Sequence, residues 1–248
     1  MKKLFPFLFL MLPLGAQAQT LRVAVAANAQ FVMKALQADF KKKTGIETEM
    51  IAGSSGKLTA QIKNGAPYDL FLSADMDFPK ALYDEGFGID PPKVYALGSL
   101  IVCSTSDFDV KNWRSLLTAT KTNKIAIASP VLAPYGAAAK QALRHYRLWD
   151  KISTKIVFGE SISQVNTYIS AGVVSFGFTT EALIHESPDA AKLKWVKIDH
   201  KAYEQIQQGM LILAHAKKGN YDKALKFFNY LQSPAARQLF VKNGYRIP

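Results

Sequence analysis

Cysteine and histidine are scarce in this chain, and apart from its start it has no long apolar run. Each shortage closes a class of function. One cysteine among 248 residues, Cys103, can form neither an intramolecular disulfide nor a thiolate metal cluster. Its neighbours Leu100, Ile101 and Val102 make it a buried strand thiol rather than a nucleophile. The four histidines, His145, His185, His200 and His215, lie far apart, with no H-x-x-x-H pair on which a metal site could be built. Beyond the first twenty residues, no segment is apolar for the roughly 20 residues that a membrane-spanning helix needs. A composition with 49% hydrophobic residues, 11 prolines and 15 glycines excludes disorder and collagen-like repeats. The length suits one large domain or two lobes of about 100 residues each.

The start of the chain reads as an address. Lys2 and Lys3 precede an apolar run from Leu4 to Leu14, and Ala16-Gln17-Ala18 is a small-residue cleavage site. The expectation is a cleaved signal peptide over Met1–Ala18 and a soluble exported, periplasmic protein that begins at Gln19. Cleavage lowers the basic residues from 31 to 29 against 19 acidic ones, so the formal charge falls from +12 to +10. That excess is scattered, as Lys41-Lys42-Lys43, Lys217-Lys218 and single sites, with acids between. No basic stripe carries aromatics at base-stacking spacing, so a nucleic-acid partner is not expected. A diffuse positive field would still raise the encounter rate of a small anion.

Strand and helix signals alternate from Leu21 onward. Leu21–Ala26, 47–51 and 69–72 read as strands, with helices over 31–43, from the Gly53-Ser54-Ser55-Gly56 turn, and over 78–85. Gly45 stands where a C-cap glycine belongs. The second half offers strands at 100–103, 125–128, 156–158, 174–178, 195–198 and 210–214. Helices are read there at 113–119, 136–146, 163–170, 221–231 and 235–243. This order predicts an α/β fold of two lobes, each a mainly parallel sheet flanked by helices, with a cleft between them. The lobes are expected over 19–98 plus 214–248 and over 99–213. Asp90-Pro91-Pro92 is either an ordinary loop or a crossing between them.

Catalytic patterns fail. Gly53-Ser54-Ser55-Gly56-Lys57 lacks both the leading glycine and the closing hydroxyl of a phosphate loop, since Ile51 and Leu58 hold those positions. Nor does it fit the G-x-S-x-G elbow. No acid–base pair or nucleophile stands beside the expected cleft, so an enzyme is not expected. What remains is a set of strand ends opening onto helix starts: Ala27-Asn28, Ser54-Ser55, Ala133-Pro134-Tyr135-Gly136, and Glu160-Ser161-Ile162-Ser163. Each alone is explained by helix capping. Together, at the ends of parallel strands, they would direct amides and positive helix ends at one crevice, which is the chemistry of an anion site.

At these residues the chain resembles the periplasmic molybdate-binding proteins of ABC importers, within the two-lobed type II solute-binding family. The resemblance runs through the whole mature sequence. It is carried by Ala27-Asn28, Thr44-Gly45, Gly53-Ser54-Ser55-Gly56, the stretch from Asn64-Gly65-Ala66-Pro67 through Asp69-Leu70-Phe71 to Ser73-Ala74-Asp75, Ala133-Pro134-Tyr135-Gly136 and Gly244-Tyr245. It implies molybdate or tungstate as ligand, no cofactor, delivery to a membrane permease, and a monomer. Another oxyanion such as sulfate, or a small organic anion, remains open as the alternative. It also implies Asn28 and Ser55 as contacts from one lobe, and backbone N–H groups at Tyr135 and Ile162 from the other. A late tyrosine that some members use is absent, because the region reads Phe178-Thr179-Thr180-Glu181. The Tyr135 hydroxyl is then the group left to replace it. The contacts include no carboxylate, and Glu160 is expected to face away. Such a shell of donors rejects a hydrogen phosphate, whose proton needs an acceptor.

Overall fold

The computed structural model describes residues 20–186 and 190–248, so the expected leader Met1–Ala18 and the start at Gln19 lie outside the described residues. The first sheet holds β1 (Leu21–Ala26), β2 (Thr48–Gly53), β3 (Leu70–Leu72), β4 (Lys93–Gly98) and β10 (Ile206–Ile212), in the order β2-β1-β3-β10-β4. The second holds β5 (Leu100–Ser104), β6 (Ile125–Ala128), β7 (Ile156–Gly159), β8 (Phe176–Thr180) and β9 (Lys194–Lys197), in the order β7-β6-β8-β5-β9. β1 runs parallel to β2 and β3, and β6 runs parallel to β7 and β8. β10 is antiparallel to β3 and β4, and β5 is antiparallel to β8 and β9. Each sheet therefore has one reversed strand, and in both it is the strand by which the chain enters that lobe from the other.

Helices cover both sheets: α1 (Gln30–Thr44), α2 (Ser55–Lys63), α3 (Asp77–Asp84), α4 (Trp113–Thr118), α5 (Pro134–His145), α6 (Trp149–Ile152), α7 (Ile162–Ser170), α8 (Ala182–Glu186), α9 (Tyr221–Leu231) and α10 (Pro234–Lys242). Burial of a parallel sheet on both faces explains why β3 and β6 read as unbroken apolar runs and why β1 is interrupted only by the exposed Arg22. α1 turns Val32, Met33, Leu36 and Phe40 onto one face of the first sheet and stops at Gly45, whose φ of 72° lets its N–H reach the Lys41 carbonyl. Leu58 and Ile62 of α2 pack on the opposite face with Ala24 and Phe71. Among the described residues, no helix is long and apolar enough to cross a membrane.

Three expectations need correction. First, the lobe boundary at 213/214 fails, because Ile206–Ile212 pairs in the first sheet with β3 and β4. The apolar run Met210-Leu211-Ile212 completes the buried pairing with Leu72, Phe71 and Leu70, so the return crossing precedes Ile206. Secondly, Lys93–Gly98, where no strand is expected, forms β4; the outward crossing at Ser99 falls at the expected boundary of 98/99, and Asp90-Pro91-Pro92 is an ordinary loop before it. With one residue between β4 and β5, Val94–Cys103 reads as a single apolar stretch in the sequence. Thirdly, β8 and β10 are displaced from the segments read for them, 174–178 and 210–214. Thr180 at the end of β8 and Gln208 within β10 find polar partners inside the molecule, so their polarity does not end the strand.

Candidate functional site

β1 and β2 are parallel neighbours, as are β6 and β7, so the four turns that follow these strands lie in two adjacent pairs. The pairs face each other across the lobes and line one small pocket between them. Asn28 and Ser55 line it from the first lobe, Tyr135 and Ile162 from the second. None of these four is more than 3% exposed. Among the described residues, no side chain lining the cavity is charged.

Each of the four is held by its own local chemistry. Ser55 opens α2, and its Oγ accepts the Ala74 N–H at 3.0 Å, which leaves the hydroxyl proton to be donated elsewhere. Ala74 is itself fixed by its neighbours: the Ser73 hydroxyl donates to Asp75 Oδ1 at 2.9 Å, and the same oxygen takes the Phe78 N–H at 3.2 Å. The Ser73-Ala74-Asp75 motif is thus the brace behind Ser55. Asn28 lies in the short 3₁₀ turn between β1 and α1; its Nδ2 donates to Gln208 Oε1 at 2.7 Å, and its carbonyl accepts the Tyr245 hydroxyl at 2.6 Å. Pro134 has no N–H, so Tyr135 supplies the first amide of α5, while the amides of Gly136 and Ala137 both go to the Ala133 carbonyl. At α7, Ser161 Oγ caps the Gln164 N–H, and Ile162 sits in the first turn, where N–H groups have no intrahelical partner.

The Tyr135 hydroxyl, expected as a stand-in for the missing tyrosine, accepts from Thr180 Oγ1 at 3.2 Å and from Gln208 Nε2 at 3.5 Å. It points at Gly98, where a Cβ would lie 2.1 Å from the hydroxyl oxygen. The hydroxyl therefore ties the second lobe to Gln208 of the first lobe's β10, with Gly98 of β4 leaving room for it. Phe178 is packed edge-on to Trp113 in the second core and does not line the cavity. Sequence reasoning missed Gln208. This residue is fully buried, and its Oε1 also accepts the Tyr95 hydroxyl at 2.9 Å, so one amide joins Asn28, Tyr95 and Tyr135. One of two adjacent glutamines in a strand reads as solvent-facing, and nothing in the sequence marks Gln208 rather than Gln207 as the buried one.

The lobes touch across the mouth of the cavity. Gly56 N–H donates to the Leu132 carbonyl at 2.9 Å, and Lys57 pairs with Glu160 at 2.8 Å. Glu160 thus faces an outer groove between α2 and α7 rather than the cavity, as expected. Both partners of this pair are about half exposed, so it contributes at most about 1 kcal/mol and closes the lobes weakly.

Burial pushes the Asp75 carboxyl up to about 6, against the pull of its bonds from Ser73 and Phe78. A carboxyl whose folded value is raised contributes stability below its unfolded value near 3.8 and loses it as the pH rises through about 6. Asp75→Asn keeps an oxygen to accept both bonds and removes the charge. We expect this variant to be about 2 to 3 kcal/mol more stable than wild type above pH 7, and equal to it near pH 4. Thermal melts of the ligand-free protein across pH 4–8 measure this, and parallel pH profiles would contradict it. The Cys103 thiol is fully buried in β5 and raised to about 12 by desolvation, as an inert strand thiol should be. Among the described residues, no three histidine, cysteine or acidic side chains form a group that could hold a metal ion.

Comparison with known proteins gives a consistent set of matches. Residues 21–246 match the family model described as bacterial extracellular solute-binding protein. The molybdate-binding protein ModA of Azotobacter vinelandii is 32% identical over 236 residues, covering 95% of this chain and 93% of the relative. Its namesake in Rhodobacter capsulatus is 33% identical over 236 residues, covering 94% and 91%. Among solved structures, the periplasmic molybdate-binding protein of Azotobacter vinelandii superposes with a TM-score of 0.85 at 33% identity, over 92% of this chain and 99% of that one.

Proposed function

This chain belongs to the bacterial extracellular solute-binding protein family, and from that premise we propose that it captures molybdate in the periplasm and hands it to the permease of an ABC importer. Tungstate, of the same charge and shape, is the second ligand in this reading. The observation that carries the proposal is the composition of the pocket: four helix-opening turns from the two lobes meet in it, with no charged side chain on its wall. The contacts we assign are the Asn28 side chain and backbone, the Ser55 hydroxyl, and the amides of Tyr135 and Ile162.

Such a shell is chemically sufficient for a dianion. A buried ion must be fully hydrogen-bonded to offset its lost hydration. Each bond to a charged group contributes about 1.5 to 3 kcal/mol, and each helix start adds roughly 0.3 to 1 kcal/mol. Neutral donors supply this without a salt bridge that would oppose release. The chain's role is then binding and transfer rather than catalysis. The anion binds the closed arrangement more tightly than the open one, shifts the population toward it, and so presents the closed lobes to the permease.

Calorimetric titration with molybdate, tungstate, sulfate and phosphate tests the assignment. Molybdate and tungstate should bind at least 100-fold more tightly than the other two. Ser55→Ala, which removes one donor to the anion, should weaken molybdate binding by about 10- to 100-fold. Tight sulfate binding, or no heat with molybdate, would sink the ligand assignment.

A further inference from the structure

Ser54 stands at the N-cap of α2, where a serine ordinarily turns its Oγ onto an N–H of the first turn. The other serine N-caps do so: Ser161 takes the Gln164 N–H and Ser233 takes the Ala236 N–H. Ser54 does not, although its backbone (φ −68°, ψ 148°) is nearly that of Ser233 (φ −71°, ψ 156°). Its Oγ is buried without a hydrogen-bond partner, in a residue only 2% exposed that lines the same cavity as Ser55. A buried hydroxyl with no partner is costly, and one that declines an available cap is in need of a different explanation.

We infer that the Ser54 hydroxyl is a further donor to the bound anion, set beside Ser55 at the start of α2. The inference rests on the functional reading above and extends it. The two serines divide their roles by their partners: Ser55 Oγ is oriented by the Ala74 N–H, while Ser54 Oγ is left with its proton for a ligand oxygen. A donor at this position adds to the selection for unprotonated tetrahedral anions, since it offers a hydrogen to every oxygen that approaches the turn. The competing partner for Ser54 is a water from the outer groove between α2 and α7, which Ser54 also borders. A water partner would leave ligand affinity independent of the hydroxyl.

The test pairs Ser54→Ala with Ser233→Ala, reading the melting temperature without ligand and molybdate affinity by calorimetry. For Ser54→Ala we expect an unchanged or higher ligand-free melting temperature and molybdate binding at least tenfold weaker, which is about 1.4 kcal/mol. Ser233→Ala, which loses a formed cap, should show the reverse: a lower melting temperature and unchanged affinity. Ser54→Ala binding molybdate within threefold of wild type would overturn the inference, as would a loss of ligand-free stability equal to that of Ser233→Ala. Wild-type protein titrated alongside separates the two claims. If it binds molybdate and Ser54→Ala matches it, this inference alone fails. If it binds none of the oxyanions, the functional reading fails and takes the inference with it.

Discussion

Gly136→Ala is expected to cost about 3 to 5 kcal/mol of stability, to lower the melting temperature by roughly 10 °C, and to abolish measurable anion binding. An added Cβ at Gly136 would lie 2.1 Å from the Ala128 carbonyl oxygen and 2.7 Å from its carbon. Both are backbone atoms of the last residue of β6, so no rotamer change relieves the contact. Either α5 moves away from the strand or the strand end moves. α5 also carries Ala138, Ala139, Ala142 and Leu143 into the second core, and close-packed interiors do not absorb such a shift without loss. Tyr135 rides on the same turn, so its amide leaves the cavity wall. Gly53→Ala is the control: its Cβ would meet only the Leu58 side chain, at 3.3 Å, and the cost should stay below about 1 kcal/mol. Thermal denaturation and calorimetry on both variants measure the contrast, and equal behaviour of the two would contradict it.

Gln208→Leu should lower molybdate affinity by about 10- to 100-fold and stability by about 2 to 4 kcal/mol. The leucine fits the volume but accepts nothing, so Asn28 Nδ2 loses its partner in a fully buried site. The Tyr95 hydroxyl retains its second contact, at 3.2 Å to the Ser73 carbonyl, and is less affected. Gln208→Glu separates positioning from packing. Its carboxylate still accepts from Asn28 and Tyr95, but it loses the donor to Tyr135 and adds a negative charge behind the anion cavity. We expect this variant to fold, to bind weakly at pH 8, and to recover affinity as the pH falls and the carboxyl takes up a proton. Calorimetry across pH 5–8 shows this as a slope steeper than that of wild type. Equal pH dependence of the two proteins would reduce Gln208 to a packing residue.

Much of the framework was legible because local signals and tertiary demands agree. Leu21–Ala26 and Ile125–Ala128 are short apolar runs that become buried parallel strands, and Tyr221–Leu231 carries Ala224, Phe227, Phe228 and Leu231 at helical spacing toward the core. The helix starts were legible from small and hydroxyl residues after each strand. The outward crossing falls at the expected boundary of 98/99, but β4 and the return crossing were harder to read. Ser99 separates two strands of different sheets with a single residue, and no periodicity marks the change of partner. β10 is harder to read because Gln207 and Gln208 break its apolar run, yet Gln208 faces inward to Asn28 and Tyr95, distant in sequence within the same lobe, and to Tyr135 of the other. The Ser54-Ser55 pair shows the finer limit: two adjacent serines are indistinguishable in sequence, and only their bonds separate a braced hydroxyl from an unpartnered one.

Crystals of the mature protein grown with molybdate, measured at the molybdenum absorption edge, test the central claim most directly. The account predicts one strong anomalous peak in the cavity between the lobes, with the anion's oxygens about 2.7 to 3.2 Å from donors on Asn28, Ser55, Tyr135 and Ile162. A peak confined to the outer groove or to the surface lysines, with none in that cavity, would contradict it.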